Sequence, residues 1–220
     1  KSKNNKKGLG GVKIYKIPEA TVMRLSIYSR YLYQLAGDGV ETISSGEIAR
    51  GVGVSSAQVR KDLAYFGEFG TRGVGYNVDD LYGHVMKILG LDKMWNVIII
   101  GAGKLGSALA LYKGFVKRGF NISAILDADQ GKIGTELEKV VVEPMDVLAE
   151  RVKEHNVNIG IITVPTISAQ EVTDKLVAAG VKAILNFSPR VLNVPSDVIL
   201  RNVDLSVHLE VLSFKLDYQG

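Results

Sequence analysis

Residues 96–106 read NVIIIGAGKLG. Asn96 to Ile100 read as a short continuous run, apolar from Val97, that stops at glycine, the pattern of a parallel strand buried on both faces. Gly101, Gly103 and Gly106 follow at GxGxxG spacing and open a helical pattern, so strand, glycine turn and helix occur in the order a dinucleotide-binding turn requires. Gly101 permits the tight turn, Gly103 lets a pyrophosphate approach the backbone, and Gly106 lets helix pack on sheet. The stretch Gly101, Ala102, Gly103, Lys104, Leu105, Gly106 then offers unpaired N–H groups and a helix dipole to an anion.

Downstream, short β-branched runs alternate with helical ones. A helix is expected over Leu105–Arg118, with strands at Ser123–Asp127, Val140–Val142, Ile159–Val164, Ala183–Leu185 and Asp197–Leu200, and helices at Asp146–Glu154 and Ala169–Ala179. That alternation predicts a doubly wound parallel sheet. Asp127 ends the second strand, 21 residues past Gly106, where a carboxylate accepts from ribose hydroxyls and favours NAD over NADP; Lys132, close by, tempers that preference. Thr163, Val164 and Pro165 end the Ile159 strand at the carboxyl edge, where ligands of open α/β sheets bind. The alternative is a glycine turn serving another ligand, or none. Leu205, Leu209, Leu212 and Leu216 give the final segment, Asp204–Phe214 and beyond, a helical apolar spacing.

Upstream of Asp92 the texture is different. Pro18 suits a helix start, and Leu25, Tyr28, Leu32 and Leu35 recur at helical spacing up to Gly37. Ser44 with Glu47 is a capping box opening a short helix, and Ser55 with Gln58 reads as a second. The two helices and the tight turn between them make a helix-turn-helix pattern. Residues 68–76, EFGTRGVGY, read as the β-hairpin wing of a winged helix, and Val78–Leu89 as a connecting helix. A recognition helix offers polar and basic side chains from its first turns: Ser55, Ser56, Gln58, Arg60 and Lys61 fit, with Val59 and Leu63 facing a core. Gln58 suits adenine and Arg60 guanine, while Arg72 and Tyr76 come from the wing, Arg72 suited to a narrow minor groove.

Composition agrees with this division. The 220 residues, 46% hydrophobic and 23% charged with 24 glycines and 5 prolines, have globular composition, which excludes a mainly disordered chain. Residues 1–76 carry 12 Lys and Arg against 6 Asp and Glu, and residues 77–220 carry 15 against 17, so a basic half precedes a near-neutral one, a charge split that suits either a polyanion partner or a merely solvated surface. Four of the early lysines fall in the opening KSKNNKKGLGG, read as part of a flexible basic leader over 1–15. With no cysteine there is no disulfide, thiolate metal site or cysteine nucleophile. No apolar stretch is long enough to cross a bilayer and no secretory pattern opens the chain, so the expected address is cytoplasmic, with no membrane or metal partner. The expected domains are 16–90 (winged helix), 91–203 (Rossmann sheet) and 204–220 (C-terminal helix and tail).

No catalytic residue is assigned. A dehydrogenase needs a proton donor or acceptor beside the hydride acceptor, and His84, His155 and His208 read as surface or packing residues. No HExxH, GxSxG or P-loop occurs. The coenzyme is therefore expected to be sensed and not consumed. Two rivals stand beside that reading: a small NAD-dependent oxidoreductase, and a doubly wound domain for coenzyme A or another nucleotide whose winged helix serves a protein partner.

Lys16-Ile17-Pro18, SSAQVRKDLAYFGEFGTRGVGYNV (55–78), GAGKLGSALA (101–110) and LNFSPRVLNVP (185–195) together resemble the Rex family of redox-sensing transcriptional repressors. The resemblance spans residues 16–216. It implies a homodimer with an N-terminal winged helix, a C-terminal Rossmann domain and a last helix exchanged between subunits. It also implies binding to palindromic operator double-stranded DNA and release by NADH, with NAD as the oxidised counterpart. An arginine, a tyrosine and an aspartate form the family's switch, and Arg24, Tyr112 and Asp204 stand at those positions. Leu205 occupies a place where some members carry an aromatic.

Overall fold

The computed structural model describes residues 17–71 and 73–218. The leader, Lys16 and Arg72 lie outside the described residues. The chain divides into two compact units, one ending at Lys93 and the other beginning at Met94.

The first unit contains α1 (Glu19–Gly37), β1 (Thr42–Ile43), α2 (Ser45–Val52), α3 (Ser56–Ala64), β2 (Tyr76–Asn77) and α4 (Val78–Ile88). Leu25, Tyr28 and Leu32 of α1 are buried with Ile48 of α2, Val59 and Leu63 of α3 and Leu81 and Val85 of α4. The core thus follows the helical spacing read from the sequence. Ser44 makes the full capping box with Glu47. The box expected at Ser55 is only half made. Its hydroxyl accepts from the Gln58 N–H at 3.1 Å, but the Gln58 side chain turns away to Asp62 at 2.9 Å, a charged and therefore stronger acceptor. The wing is also shorter than a full hairpin. Thr71 and Gly75 form a single bridge, and β2 pairs antiparallel with β1, a strand the sequence pattern did not suggest.

The second unit is built on β3 (Trp95–Ile100), α5 (Lys104–Ala110), β4 (Phe120–Asp127), β5 (Glu136–Leu137), β6 (Val140–Pro144), α6 (Leu148–Glu154), β7 (Ile159–Ile162), α7 (Ala169–Ala178), β8 (Ala183–Asn186), β9 (Ile199–Asn202) and α8 (Leu205–Tyr218). Seven strands lie in the order β5-β6-β4-β3-β7-β8-β9, parallel except for the β5 edge. Alternation decides the two faces. Ile98, Ile100, Ala124 and Leu126 pack under α6 and α7, whereas Val97, Ile99 and Ile125 face the other way with Leu109 of α5. Because β3 feeds β4 on one side and neighbours β7 on the other, the switch point lies between the carboxyl ends of β3 and β7.

Element limits differ from the sequence reading in several places; β4 begins at Phe120 and not at Ser123, β7 stops at Ile162 and α6 begins at Leu148. The helix expected to reach Arg118 stops at Ala110, and past it the Tyr112 ring folds over Gly114, where a Cβ would come within about 2.4 Å of it, and meets Phe115 edge-on at 5.1 Å. A short 3-10 turn over Val116–Arg118 follows. β9 begins at Ile199, after the Val198 N–H closes a turn on the Pro195 carbonyl at 3.0 Å. α8 extends to Tyr218 and buries none of its residues.

Candidate ligand and nucleic-acid sites

At the switch point the Gly101 backbone turns with φ +105 and its N–H donates to the Leu126 carbonyl at 2.7 Å. The Thr163 hydroxyl lies 2.8 Å from the Gly101 carbonyl and 3.0 Å from that of Ile100, stitching β7 to the turn. The three glycines have different surroundings. A Cβ on Gly106 would sit 1.8 Å from the Gly101 carbonyl oxygen, and one on Gly101 would press on Thr163 at 2.9 Å. A Cβ on Gly103 would meet nothing within 4 Å. The turn is closed toward the sheet and open toward the cleft beside it.

That cleft has a volume of about 400 Å³ and is lined by Gly101, Gly103, Asp127, Lys132, Thr163, Val164 and Pro165, among others. Ala102, Lys104, Leu105 and Gly106 form the turn and the start of α5 without lining it. Asp127 is already engaged. Its carboxylate accepts from the Ala102 N–H at 2.7 Å, the Asp129 N–H at 2.8 Å and Lys132 Nζ at 3.1 Å. Burial pushes its pKa up, but the Asp129 and Ala102 N–H groups and Lys132 more than offset this and hold it below the usual carboxylate range. Lys132, bonded to Asp127 and 3.5 Å from Asp129, is raised in turn. The acid at the strand end therefore braces the glycine turn, with Oδ2 accepting two of these bonds and Oδ1 one.

In the first unit Ser55, Arg60 and Lys61 are exposed and Ser56 and Gln58 half-buried. Arg60 reaches back to the Ser45 hydroxyl at 3.0 Å and, with Ser44, Ser45, Tyr76 and residues of the wing, lines a second cleft of about 630 Å³. Burial pushes the Tyr76 hydroxyl up. Val59 and Leu63 face the core as expected.

The residue that sequence reasoning missed here is Asp62. It is fully buried, and its carboxylate accepts from the Thr21 hydroxyl at 3.0 Å, Arg24 Nε and Nη2 at 2.6 and 2.7 Å, the Tyr28 hydroxyl at 2.8 Å and Gln58 Nε2 at 2.9 Å. Burial raises its pKa, and the hydrogen bonds led by Arg24 override that and leave it lowered. Arg24 is raised by the same contact, and Tyr28 is raised chiefly by burial. The available signal was positional: Asp62 sits three residues after Val59 and one before Leu63, on the core face of α3.

Each residue of the expected switch has its own surroundings within its unit. Arg24 is held by Asp62, Tyr112 is exposed against Phe115, and Asp204 accepts from the Ser206 N–H and hydroxyl at 2.9 and 2.6 Å at the start of α8. Within the second unit, no hydrogen bond among the described residues joins Tyr112 to Asp204. No group of three or more His, Asp or Glu among them is placed to hold a metal ion, and no helix is long and apolar enough to cross a membrane.

Residues 92–190 match the family model described as a CoA binding domain, and residues 16–64 the one described as a putative DNA-binding protein N-terminus. The chain is 73% identical over 205 residues to the redox-sensing transcriptional repressor Rex of Syntrophomonas wolfei, covering 93% of this chain and 98% of that protein. It is 50% identical to the Rex of Streptomyces coelicolor over 90% of this chain and 77% of the relative. Two similar solved structures are of RSP. One, in complex with NAD+ and operator DNA, has a TM-score of 0.88 at 44% identity, covering 92% of this chain and 94% of that one. The other, in complex with NADH, has a TM-score of 0.85 at 42% identity over 93% and 96%.

Proposed function

The chain belongs to the Rex family of redox-sensing transcriptional repressors, and on that premise we propose how its own residues couple coenzyme to DNA. It is a DNA-binding repressor and not an enzyme, and NADH and NAD+ are its ligands. The observation that carries the assignment of the coenzyme site is the one-sided turn: crowded at Gly101 and Gly106, open at Gly103. The residues fit a dinucleotide, with the Gly103 backbone at the pyrophosphate, Asp127 and Lys132 at the adenosine ribose, and Thr163, Val164 and Pro165 at the nicotinamide end.

The coenzyme supplies one signal, a positive charge on the oxidised ring that the reduced ring lacks. Val164 and Pro165 offer an apolar wall, which disfavours an unpaired cation. Each tenfold preference for the neutral ring requires about 1.4 kcal/mol. On the DNA side, Ser55, Ser56, Gln58, Arg60 and Lys61 of the helix-turn-helix face the major groove, with Tyr76 and Arg72 from the wing. Arg72 itself lies outside the described residues.

The protein acts as a cytoplasmic homodimer on a palindromic operator. The exposed Leu205, Leu209, Leu212 and Phe214 support this, since an apolar helix with no cover in its own chain needs another surface; α8 is read as exchanged between protomers. In the reduced state Arg24 pairs with the partner's Asp204, with Tyr112 nearby, and the two recognition helices no longer span half-sites one helical turn or a multiple apart. Linkage makes the effect reciprocal: operator DNA weakens NADH binding by the factor by which NADH weakens operator binding.

The test is a mobility-shift titration on a palindromic operator with NADH and NAD+ in parallel, alongside a fluorescence titration of NADH. NADH is expected to release the operator and NAD+ to leave it bound. Equal operator affinity with saturating NADH and with no coenzyme would overturn the mechanism.

A further inference from the structure

We infer that Asp62 is a positioning residue for base reading, one that fixes how Gln58 is presented by α3 and so governs discrimination between DNA sequences. The inference rests on the reading of α3 as the helix that enters the groove. Asp62 itself is fully buried and touches no nucleic acid, so it acts through its neighbours. Five donors from four residues converge on its two oxygens: Thr21, Arg24 and Gln58 on Oδ1, Arg24 and Tyr28 on Oδ2. A carboxylate has about four lone-pair sites, so this one has no capacity left for water or for a ligand.

Two consequences follow from that saturation. First, three residues of α1 are tied to one point on α3, at sequence separations of 34 to 41 residues, so the helix is referenced to α1 by hydrogen bonds as well as by packing. A buried ion pair is on balance worth no more stability than apolar residues of the same volume, which makes its contribution chiefly one of geometry. Second, an ionised carboxylate only accepts. The Gln58 amide must therefore turn its nitrogen toward Asp62, and it has only one orientation that satisfies the contact. That leaves the amide oxygen and one N–H for the groove, a donor–acceptor pair that matches the N6 and N7 positions of adenine. Without the carboxylate charge the amide can face either way, and the code it presents is blurred.

The test begins by selecting the palindromic operator from randomised duplexes with the wild-type full chain. Affinities for the operator and for a scrambled duplex of equal length and composition are then measured without coenzyme, so that the NADH switch does not enter. Asp62→Asn keeps the shape and removes the charge. It is expected to lower the operator-to-scrambled ratio about tenfold, the scale of one lost base contact, while leaving scrambled binding within about twofold. Gln58→Ala is expected to do the same, and the double variant to lose little more than either, because residues acting in one network are non-additive. Arg24→Gln retains Asp62 and its Thr21, Tyr28 and Gln58 donors, and is expected to lower the ratio in the same direction by a smaller factor; it carries the test if Asp62→Asn does not fold by circular dichroism. If Asp62→Asn lowers operator and scrambled binding by equal factors, or leaves the ratio unchanged while Gln58→Ala reduces it, the positioning role is wrong. If neither Gln58→Ala nor Arg60→Ala alters DNA binding, the reading of α3 as the groove helix fails and takes this inference with it.

Discussion

Asp62 and Asp127 are both buried carboxylates held below their ordinary pKa, one in each unit, and they are satisfied in opposite ways. Side chains supply the five hydrogen bonds to Asp62, and a full positive charge from Arg24 is among them. Backbone N–H groups of Ala102 and Asp129 supply two of the bonds to Asp127, and the half-exposed Lys132 adds a third. A carboxylate bonded to backbone freezes a turn locally, which suits a loop that must keep its shape for a ligand. A carboxylate bonded to side chains of two helices fixes the angle of one helix against the other, which suits a helix that must be aimed.

The sharpest way to break this contrast is to remove each acid in turn. Asp62→Ala strands the buried Tyr28 and Thr21 hydroxyls and the Gln58 amide, and leaves Arg24 without its counter-charge. The expected loss of folding stability is about 3–5 kcal/mol, the range for breaking a buried pair by removing one partner. Asp127→Ala leaves N–H groups beside an open cleft that water can reach and a lysine that is already part-solvated, so the expected loss is about 1–2 kcal/mol. Urea unfolding measures both, with Trp95, the one tryptophan in the chain, reporting on the second unit and helical circular dichroism on the whole. Equal losses in the two variants would remove the distinction between the two acids.

A change at Gly103 sharpens the contrast from the ligand side. Gly103→Val fills the space left open beside the turn without meeting protein atoms there at its Cβ. NADH affinity is expected to fall at least tenfold, about 1.4 kcal/mol or more, while operator affinity without coenzyme stays at the wild-type value. Fluorescence titration and mobility shift read the two quantities separately. A variant that kept its NADH affinity would show that the turn is not the coenzyme site, and one that lost operator binding as well would show that the turn also supports the DNA-reading unit.

The two acids also differ in how far the sequence revealed them. Asp127 was legible because its context is local: a strand, three glycines and an acid at a fixed distance follow from backbone geometry within about thirty residues. The capping box at Ser44 and the apolar spacing of Leu25, Tyr28 and Leu32 were legible for the same reason. Asp62 was not, because three of its four partner residues lie 34 to 41 residues away on α1, and a core-face position on α3 does not by itself say what would satisfy a buried carboxylate. Helical spacing alone would put Arg24 on an exposed face, for the same reason. The early end of α5 and the Tyr112 ring folded over Gly114 were hidden too, being features that helical spacing does not encode. α8 shows the converse: its apolar spacing was plain in the sequence, and the described chain leaves that helix exposed.

The smallest expected effect concerns acid. Both carboxylates have folded pKa values below the unfolded value near 3.9, so their contribution to stability is fully present above that pH and is lost as pH falls through the folded values. Neither acid therefore contributes a slope between pH 7 and about pH 5, and both contribute one below about pH 4. Burial opposes the hydrogen bonds at each site and so works against both slopes. They are separated by salt. The Arg24–Asp62 contact is largely out of solvent and is expected to keep its acid slope as ionic strength rises, whereas the Lys132 share of the Asp127 slope is screened. The part owed to the Ala102 and Asp129 N–H groups is expected to persist, because neutral backbone donors at hydrogen-bond distance carry no net charge to screen. Acid unfolding midpoints of Asp62→Asn and Asp127→Asn against wild type, at low and high salt, measure this. A salt-sensitive slope that vanishes with Asp62→Asn would place solvent at the α1–α3 clamp, and the contrast between a side-chain clamp and a backbone brace would then rest on geometry without an electrostatic difference.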